Sequence, residues 1–188
     1  MKKLIFALVA LVFLAADCGS LVKDHEQLLT QKKGWELFAA TSTPAFTNID
    51  GVTNSNLFKS FWLNYECELD DILFFYENNS SVMNFGKEKC EGQTGKDQSL
   101  GNWRFVKNYK VLEFYLPYFF DAEDEERFAL LEAEVIELDE STLQLRFPLK
   151  YDNGQEPTKA GKIRNDRGMR GAKTVVDYEF IFTYKVAK

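Results

Sequence analysis

The sequence predicts an all-β protein, an eight-stranded up-and-down antiparallel barrel, with a two-sheet β-sandwich as the alternative. Near the C-terminus, apolar and polar residues alternate strictly in four long segments separated by turn residues. No segment shows the 3.6-residue period of an amphipathic helix over more than two turns. Strands with one apolar face must stack or close on themselves, and a meander of consecutive hairpins closes as a barrel.

The strands are placed by their alternation and by the turn residues between them. Residues 42–60, with Pro44 and Gly51, are predicted to be a long connection. Turns are predicted at Asn78-Asn79-Ser80 and at Asn108-Tyr109, and a loop is predicted over residues 87–99. The predicted strands cover residues 35–41, 61–67, 72–76, 81–85, 101–107, 110–118, 131–138, 142–149 and 173–186.

Two irregularities are expected within the C-terminal strands. The apolar set changes phase between Val135 and Ile136, which indicates one extra residue and therefore a β-bulge. Pro148 has no backbone N–H to donate to a neighbouring strand, so we expect it to mark a strand end.

The N-terminus has the pattern of an export signal. Lys2 and Lys3 precede thirteen apolar residues, 4–16, a run too short to span a membrane as a helix. Residues 1–17 are therefore predicted to be a cleaved signal peptide. Residues 18–33 are predicted to be a polar tether that has one helical turn around Leu28-Leu29 and holds the only histidine, His25, in solvent. Residues 34–188 are predicted to form the barrel domain.

Cys18 directly follows the apolar run. Residues 14–18, Leu-Ala-Ala-Asp-Cys, resemble the lipobox of bacterial lipoproteins, although Asp17 stands where a small residue is usual. This resemblance implies that Cys18 carries lipid and holds the protein on a membrane of the cell envelope. The alternative is cleavage after Ala16, which leaves Cys18 as a free thiol.

The number of cysteines is odd. If Cys18 carries lipid, Cys67 and Cys90 remain as a pair, and an exported protein meets the oxidising conditions that permit their disulfide. Such a bond would stabilise the fold by roughly 3 kcal/mol. The alternative is two buried free thiols.

Several short motifs, taken together, resemble a family of exported proteins. They are Cys67-Glu68-Leu69-Asp70-Asp71, Cys90, Gly101-Asn102-Trp103 and Leu143-Gln144-Leu145, with residues 32–37 similar to the family's first strand. The chain resembles the lipocalin-like domains of exported Bacteroidetes-type lipoproteins over residues 28–186. The resemblance implies a small calyx-like barrel on a membrane anchor, and it implies no particular ligand.

Composition excludes several functions. A net charge of −6 disfavours nucleic acid as a partner, and a single histidine excludes most triad and multi-histidine metal chemistry. Residues 92–95 lack the features of a phosphate-binding loop. Asp70 and Asp71 are expected to accept turn hydrogen bonds, and acidic residues 121–126 are expected to be a solvated loop. We therefore expect a non-enzymatic protein without a cofactor or a metal site.

Aromatic residues make up 15% of the chain, and two roles for them remain open. They could line a cavity for a small hydrophobic ligand, or they could fill the barrel so that the protein acts through its long loops as a surface accessory protein. The predicted inward aromatics are Phe74, Trp103, Phe105, Phe114, Phe147, Phe180 and Phe182.

A basic segment lies before the last strand. Lys162, Arg164, Arg167 and Arg170 alternate with glycines over residues 159–173, where one acid, Asp166, stands among the cations. This pattern is typical of a surface that contacts an anionic partner such as a glycan, a lipid headgroup or an acidic protein face. The alternative is a flexible loop that only joins two strands.

Overall fold

The computed structural model describes residues 25–47, 53–58, 69–89, 95–120, 128–152 and 175–188, with the backbone alone for 118–120, 128, 149–152 and 175. The strands are β1 (Trp35–Thr47), β2 (Thr53–Asn56), β3 (Ile72–Phe75), β4 (Ser80–Asn84), β5 (Asp97–Asn102), β6 (Arg104–Val106), β7 (Val111–Phe120), β8 (Phe128–Leu138), β9 (Thr142–Asp152) and β10 (Val175–Val186). A helical segment over residues 25–29 precedes them.

All ten strands belong to one antiparallel sheet. The order around it is β5-β4-β3-β1-β10-β9-β8-β7-β6, and β2 pairs with β1 outside this path. The first strand of the barrel pairs with the last, from Trp35 opposite Val186 to Thr43 opposite Glu179. One continuous sheet excludes the two-sheet sandwich, and the predicted antiparallel barrel is confirmed.

The two ends of this path, β5 and β6, are arms of one bent strand, because only Trp103 separates them in the chain. β5 pairs with β4, and β6 pairs with β7. At the bend, Gly101 has a φ of 122°, and a Cβ there would lie 3.1 Å from Cδ2 of Tyr115 on β7. The Tyr115 ring thus covers a position without a side chain. Counted as one, the bent strand makes this an eight-stranded up-and-down barrel.

The connections differ at the two ends of the barrel. Three short turns, residues 76–79, 107–110 and 139–141, lie at one end, which we call the closed end. The connections between β1 and β3, β4 and β5, β7 and β8, and β9 and β10 all leave the opposite end, the loop end. Both predicted turns are confirmed, with Asn79 at φ 65° and Asn108 at φ 57°.

The closed end is covered by the segment that precedes β1. Leu29 of the helical segment is fully buried in the core, and Trp35 donates from its indole nitrogen to the Leu29 carbonyl oxygen over 2.8 Å. His25 packs against Tyr109 and Phe105, with ring centroids 5.6 and 6.4 Å away. Residues 25–33 are therefore part of the packed barrel, whereas the sequence placed them, with a solvated His25, in the tether.

Two strands extend further than predicted. β1 continues to Thr47 because it pairs with β10 up to Thr43 and with β2 up to Thr47. Ala40, Ser42 and Phe46 are buried in this polar segment, although their period of two is interrupted at the exposed Pro44. β9 runs through Pro148 instead of ending there. The pairs between β8 and β9 reach only to Glu134 opposite Arg146, so Pro148 occupies an edge position on that side and its missing N–H breaks no ladder.

The predicted bulge in β8 is confirmed, since the register with β9 shifts between Val135 and Glu137. Alternation is also as expected in β9 and β10, where one face of each strand enters the core. The predicted strand over residues 61–67 lies outside the described residues.

Candidate functional site

The barrel interior is the first candidate site. Of the aromatics predicted to face inward, Trp103, Phe114, Phe147, Phe180 and Phe182 are buried in the core, and Phe105 is half-buried against it. Phe147 contacts Phe180 and Phe182 with centroids 6.0 and 5.0 Å apart, both near perpendicular. These are the edge-to-face contacts of a packed aromatic core.

Phe74 does not face the interior, contrary to the prediction. On β3 the buried residues are Leu73 and Phe75, so Phe74 lies on the outer face, and Phe75 contacts Trp103 and Phe114 instead. The segment Ile72–Phe75 is apolar throughout, so its own sequence does not show which residues face the interior. The phase comes from pairing with β1, where Leu73 lies opposite Trp35.

The interior side chains leave little room around themselves. Phe114, Phe180 and Phe182 have 0% of their surface exposed. Since a water-sized sphere reaches none of their atoms, no void of that size borders these three rings. The part of the interior that they occupy is filled.

The paired carboxylates Asp70 and Asp71 hold the chain that follows β4. Asp71 Oδ1 accepts the N–H of Gly86 at 3.1 Å, and Asp70 Oδ2 accepts the N–H of Lys87 at 2.7 Å. A Cβ on Gly86 would lie 2.0 Å from Cγ of Asp70, so this contact requires glycine. The expected role as hydrogen-bond acceptors is confirmed.

A charged groove of about 660 Å³ lies on the outer face of β7 to β10. Glu132, Glu134 and Glu179 line it, and each contacts a cation. Lys107 lies 3.5 Å from Glu132, and Arg146 contacts both Glu134 and Glu179. Because these pairs are exposed, each contributes little to stability. Carboxylates already paired in this way are poor candidates for acid–base chemistry.

The same face holds a further ion pair between Arg104 and Glu113. Its hydrogen bond and charge attraction raise the pKa of Arg104, and contact with Glu134 likewise raises the pKa of Arg146. The ion pairs of Glu113, Glu132 and Glu134 with exposed cations thus place all three on the outer face of the barrel.

A second groove, of about 380 Å³, lies at the closed end. Residues 30–32 form one wall and residues 74–77 form the other. Phe74 and Tyr76 supply aromatic surface, while Gln31, Lys32 and Glu77 supply polar groups. Sequence reasoning missed this groove, because no pattern links Gln31 with residues more than forty positions further along the chain.

Several predicted sites lie outside the described residues. They are the signal peptide, the lipid attachment site Cys18, the cysteines Cys67 and Cys90, the acidic run 121–126, and the basic residues Lys162, Arg164, Arg167 and Arg170.

The fold and these grooves define a class, the antiparallel up-and-down barrel. No protein-family model, curated protein or solved structure matches the chain. Among the residues that the structure describes, no cluster of three or more histidine, cysteine, aspartate or glutamate side chains could hold a metal ion. That same part of the chain contains no helix with the length and hydrophobicity to cross a membrane.

Proposed function

We propose that this protein is a non-enzymatic, lipocalin-like lipoprotein of the cell envelope that works through its outer surface and loops. The observation that most supports this proposal is the packed interior, where Phe114, Phe180 and Phe182 border no water-sized void. A barrel filled in this way has no space at these rings for an apolar ligand. The proposal therefore favours the filled-core alternative over a calyx that binds a small hydrophobic molecule.

Titration with a fluorescent fatty acid tests this proposal. We expect no saturable binding to the purified protein. Phe180→Ala titrated with benzene is the positive control for binding inside the barrel, because removal of a buried ring leaves an apolar cavity of the size that takes up benzene. Saturable binding to the unmodified protein, lost on addition of a larger side chain at Ala133 (Ala133→Phe), would favour the calyx instead.

The lipid anchor and the disulfide are parts of the same proposal. Cys18 follows an apolar export segment, and this supports attachment of lipid there. The contacts of Asp70 and Asp71 with Lys87 and Gly86 support a Cys67–Cys90 bond, because each cysteine lies three residues along the chain from one of these contacts.

Intact-mass analysis of the native protein tests both bonds. A lipidated Cys18 adds the mass of its acyl groups, and Cys18→Ala removes that mass and releases the protein from membranes. A disulfide makes the mass 2 Da smaller than that of the reduced protein, as two hydrogens are lost. A mature protein that begins after Ala16 with a free thiol would contradict the anchor.

A further inference from the structure

The closed-end groove has walls that the core holds in place. The indole nitrogen of Trp35 donates to the Leu29 carbonyl oxygen at 2.8 Å, next to the wall of residues 30–32. The indole nitrogen of Trp103 donates to the carbonyl oxygen of Tyr76, in the other wall, at 3.1 Å. Both tryptophans are buried. A groove fixed in this way loses little conformational freedom when it binds a ligand.

Aromatic side chains form one wall of the groove. The rings of Phe74 and Tyr76 are parallel to within 8°, with centroids 6.1 Å apart, and Tyr76 is 44% exposed. Gly34 allows the preceding segment to lie directly on this wall. A Cβ at Gly34 would lie 2.6 Å from Cγ2 of Ile72 and 2.8 Å from Cε1 of Phe74.

Polar groups line the rest of the groove. Nε2 of Gln31 is buried and has no hydrogen-bond partner, which is a costly state for an amide. The terminal torsion of a glutamine is soft, so this amide can turn toward a ligand. Lys32 and Glu77 carry opposite charges, which cancel, so the groove favours a neutral ligand over an ion.

We propose that this groove binds a neutral sugar ring of a glycan, outside the barrel. A sugar ring has apolar C–H groups that can pack on the face of Tyr76, and its hydroxyls both donate and accept hydrogen bonds. Those hydroxyls satisfy Gln31, Lys32 and Glu77 together. An acyl chain would leave the Gln31 amide unpaired. The volume of about 380 Å³ falls within the range of small-ligand pockets, roughly 300–1,000 Å³.

Saturation-transfer NMR on the purified protein tests the proposal with three neutral probes: chitotetraose, maltotetraose and mannotetraose. We expect saturable binding of at least one. Tyr76→Ala should weaken that binding by about tenfold or more, since buried aromatic contacts dominate such sites. Tyr76→Phe keeps the ring and should retain most of the affinity. Phe38→Ala is the matched control, as Phe38 is an aromatic on β1, 68% exposed and outside the groove.

Gln31→Ala provides a second variant that leaves the aromatic wall intact, and we expect it to weaken binding by about threefold to tenfold. Thermal unfolding checks that each variant is folded. The proposal is overturned if none of the three probes binds, or if Tyr76→Ala and Gln31→Ala, when folded, bind as well as Phe38→Ala. Displacement of the sugar by laurate would also overturn it, because the groove would then be an acyl-chain site. These outcomes do not depend on whether the interior is filled or whether Cys18 carries lipid.

Discussion

Trp35 donates a hydrogen bond from its indole nitrogen to the backbone carbonyl oxygen of Leu29 over 2.8 Å, and both side chains are fully buried. This contact joins the first residue of β1 to the helical segment that covers the closed end of the barrel. It satisfies two buried polar groups at once, an indole N–H and a carbonyl at the end of a helical turn.

Loss of this hydrogen bond should destabilise the whole domain. Trp35→Phe leaves the Leu29 carbonyl oxygen without a partner and removes buried volume. We expect the free energy of unfolding to fall by about 2–4 kcal/mol, measured by urea denaturation. Phe38→Ala should change it by no more than about 0.5 kcal/mol, since Phe38 is 68% exposed. Equal effects of the two substitutions would show that the contact carries no stability.

The aromatic core should be sensitive to truncation. Phe180 is fully buried and contacts Phe46, Phe147 and Tyr178. Phe180→Ala should lower the free energy of unfolding by about 3–5 kcal/mol and the thermal midpoint by roughly 10 °C. Differential scanning calorimetry measures both. A change below 1 kcal/mol would mean that the core around Phe180 collapses to fill the space.

The burial of Tyr184 predicts that the fold loses stability at alkaline pH. Burial raises the pKa of its hydroxyl far above the usual value of about 10, and the hydroxyl has no hydrogen-bond partner. Above about pH 10, the hydroxyl of Tyr184 releases its proton in the unfolded chain but keeps it in the folded chain. The free energy of unfolding should therefore decrease as pH rises, by up to about 1.4 kcal/mol per pH unit from this residue.

Tyr184→Phe is the control for this behaviour. It removes the titrating group and the unpaired hydroxyl, so we expect stability at pH 7 to stay constant or to rise by about 1 kcal/mol. Urea denaturation between pH 9 and pH 11 compares the two proteins. Identical pH slopes would contradict the assignment to Tyr184, because Tyr178, whose pKa burial also raises, is present in both.

Alanine substitutions at two glycines with positive φ can distinguish the stability cost of backbone strain from the cost of steric overlap. Gly95, with φ 92°, has no atom within 4 Å of the position of a Cβ, whereas at Gly34, with φ 72°, a Cβ meets Ile72 at 2.6 Å. Gly95→Ala should cost roughly 1–2 kcal/mol from its backbone conformation alone. Gly34→Ala should cost about 1–3 kcal/mol more, measured by chemical denaturation. Similar costs would mean that β3 moves away freely from the new methyl group.

The sequence was sufficient to predict those parts of the fold in which one strand face is apolar and the other polar. β9 and β10 alternate over most of their length, and both their inward faces and the bulge in β8 are as predicted. The barrel class follows from these strands, because an apolar sheet face must be covered.

In other strands, the residues that face inward are decided by pairing with a neighbouring strand. Phe74 and Phe75 are chemically identical, and pairing of Leu73 with Trp35 decides which one enters the core. In β1, the small inward residues Ala40 and Ser42 conceal the buried face. Leu29 is similar, since the adjacent leucines 28 and 29 in a polar segment have no periodicity that shows which of them is buried. The closed-end groove depends on such long-range contacts and could not be predicted.

Within the described ranges, β1 and β3 share two residue pairs, Trp35 with Leu73 and Glu36 with Ile72, whereas β9 and β10 share eleven. Local unfolding should therefore begin where β1 pairs with β3, and the pairing of β9 with β10 should persist longest. In hydrogen–deuterium exchange, the amides of β3 should lose protection well before those of β10. The closed-end groove borders this contact between β1 and β3, so a ligand bound there, such as the proposed glycan, would contact both sides of it and slow the amide exchange of β3.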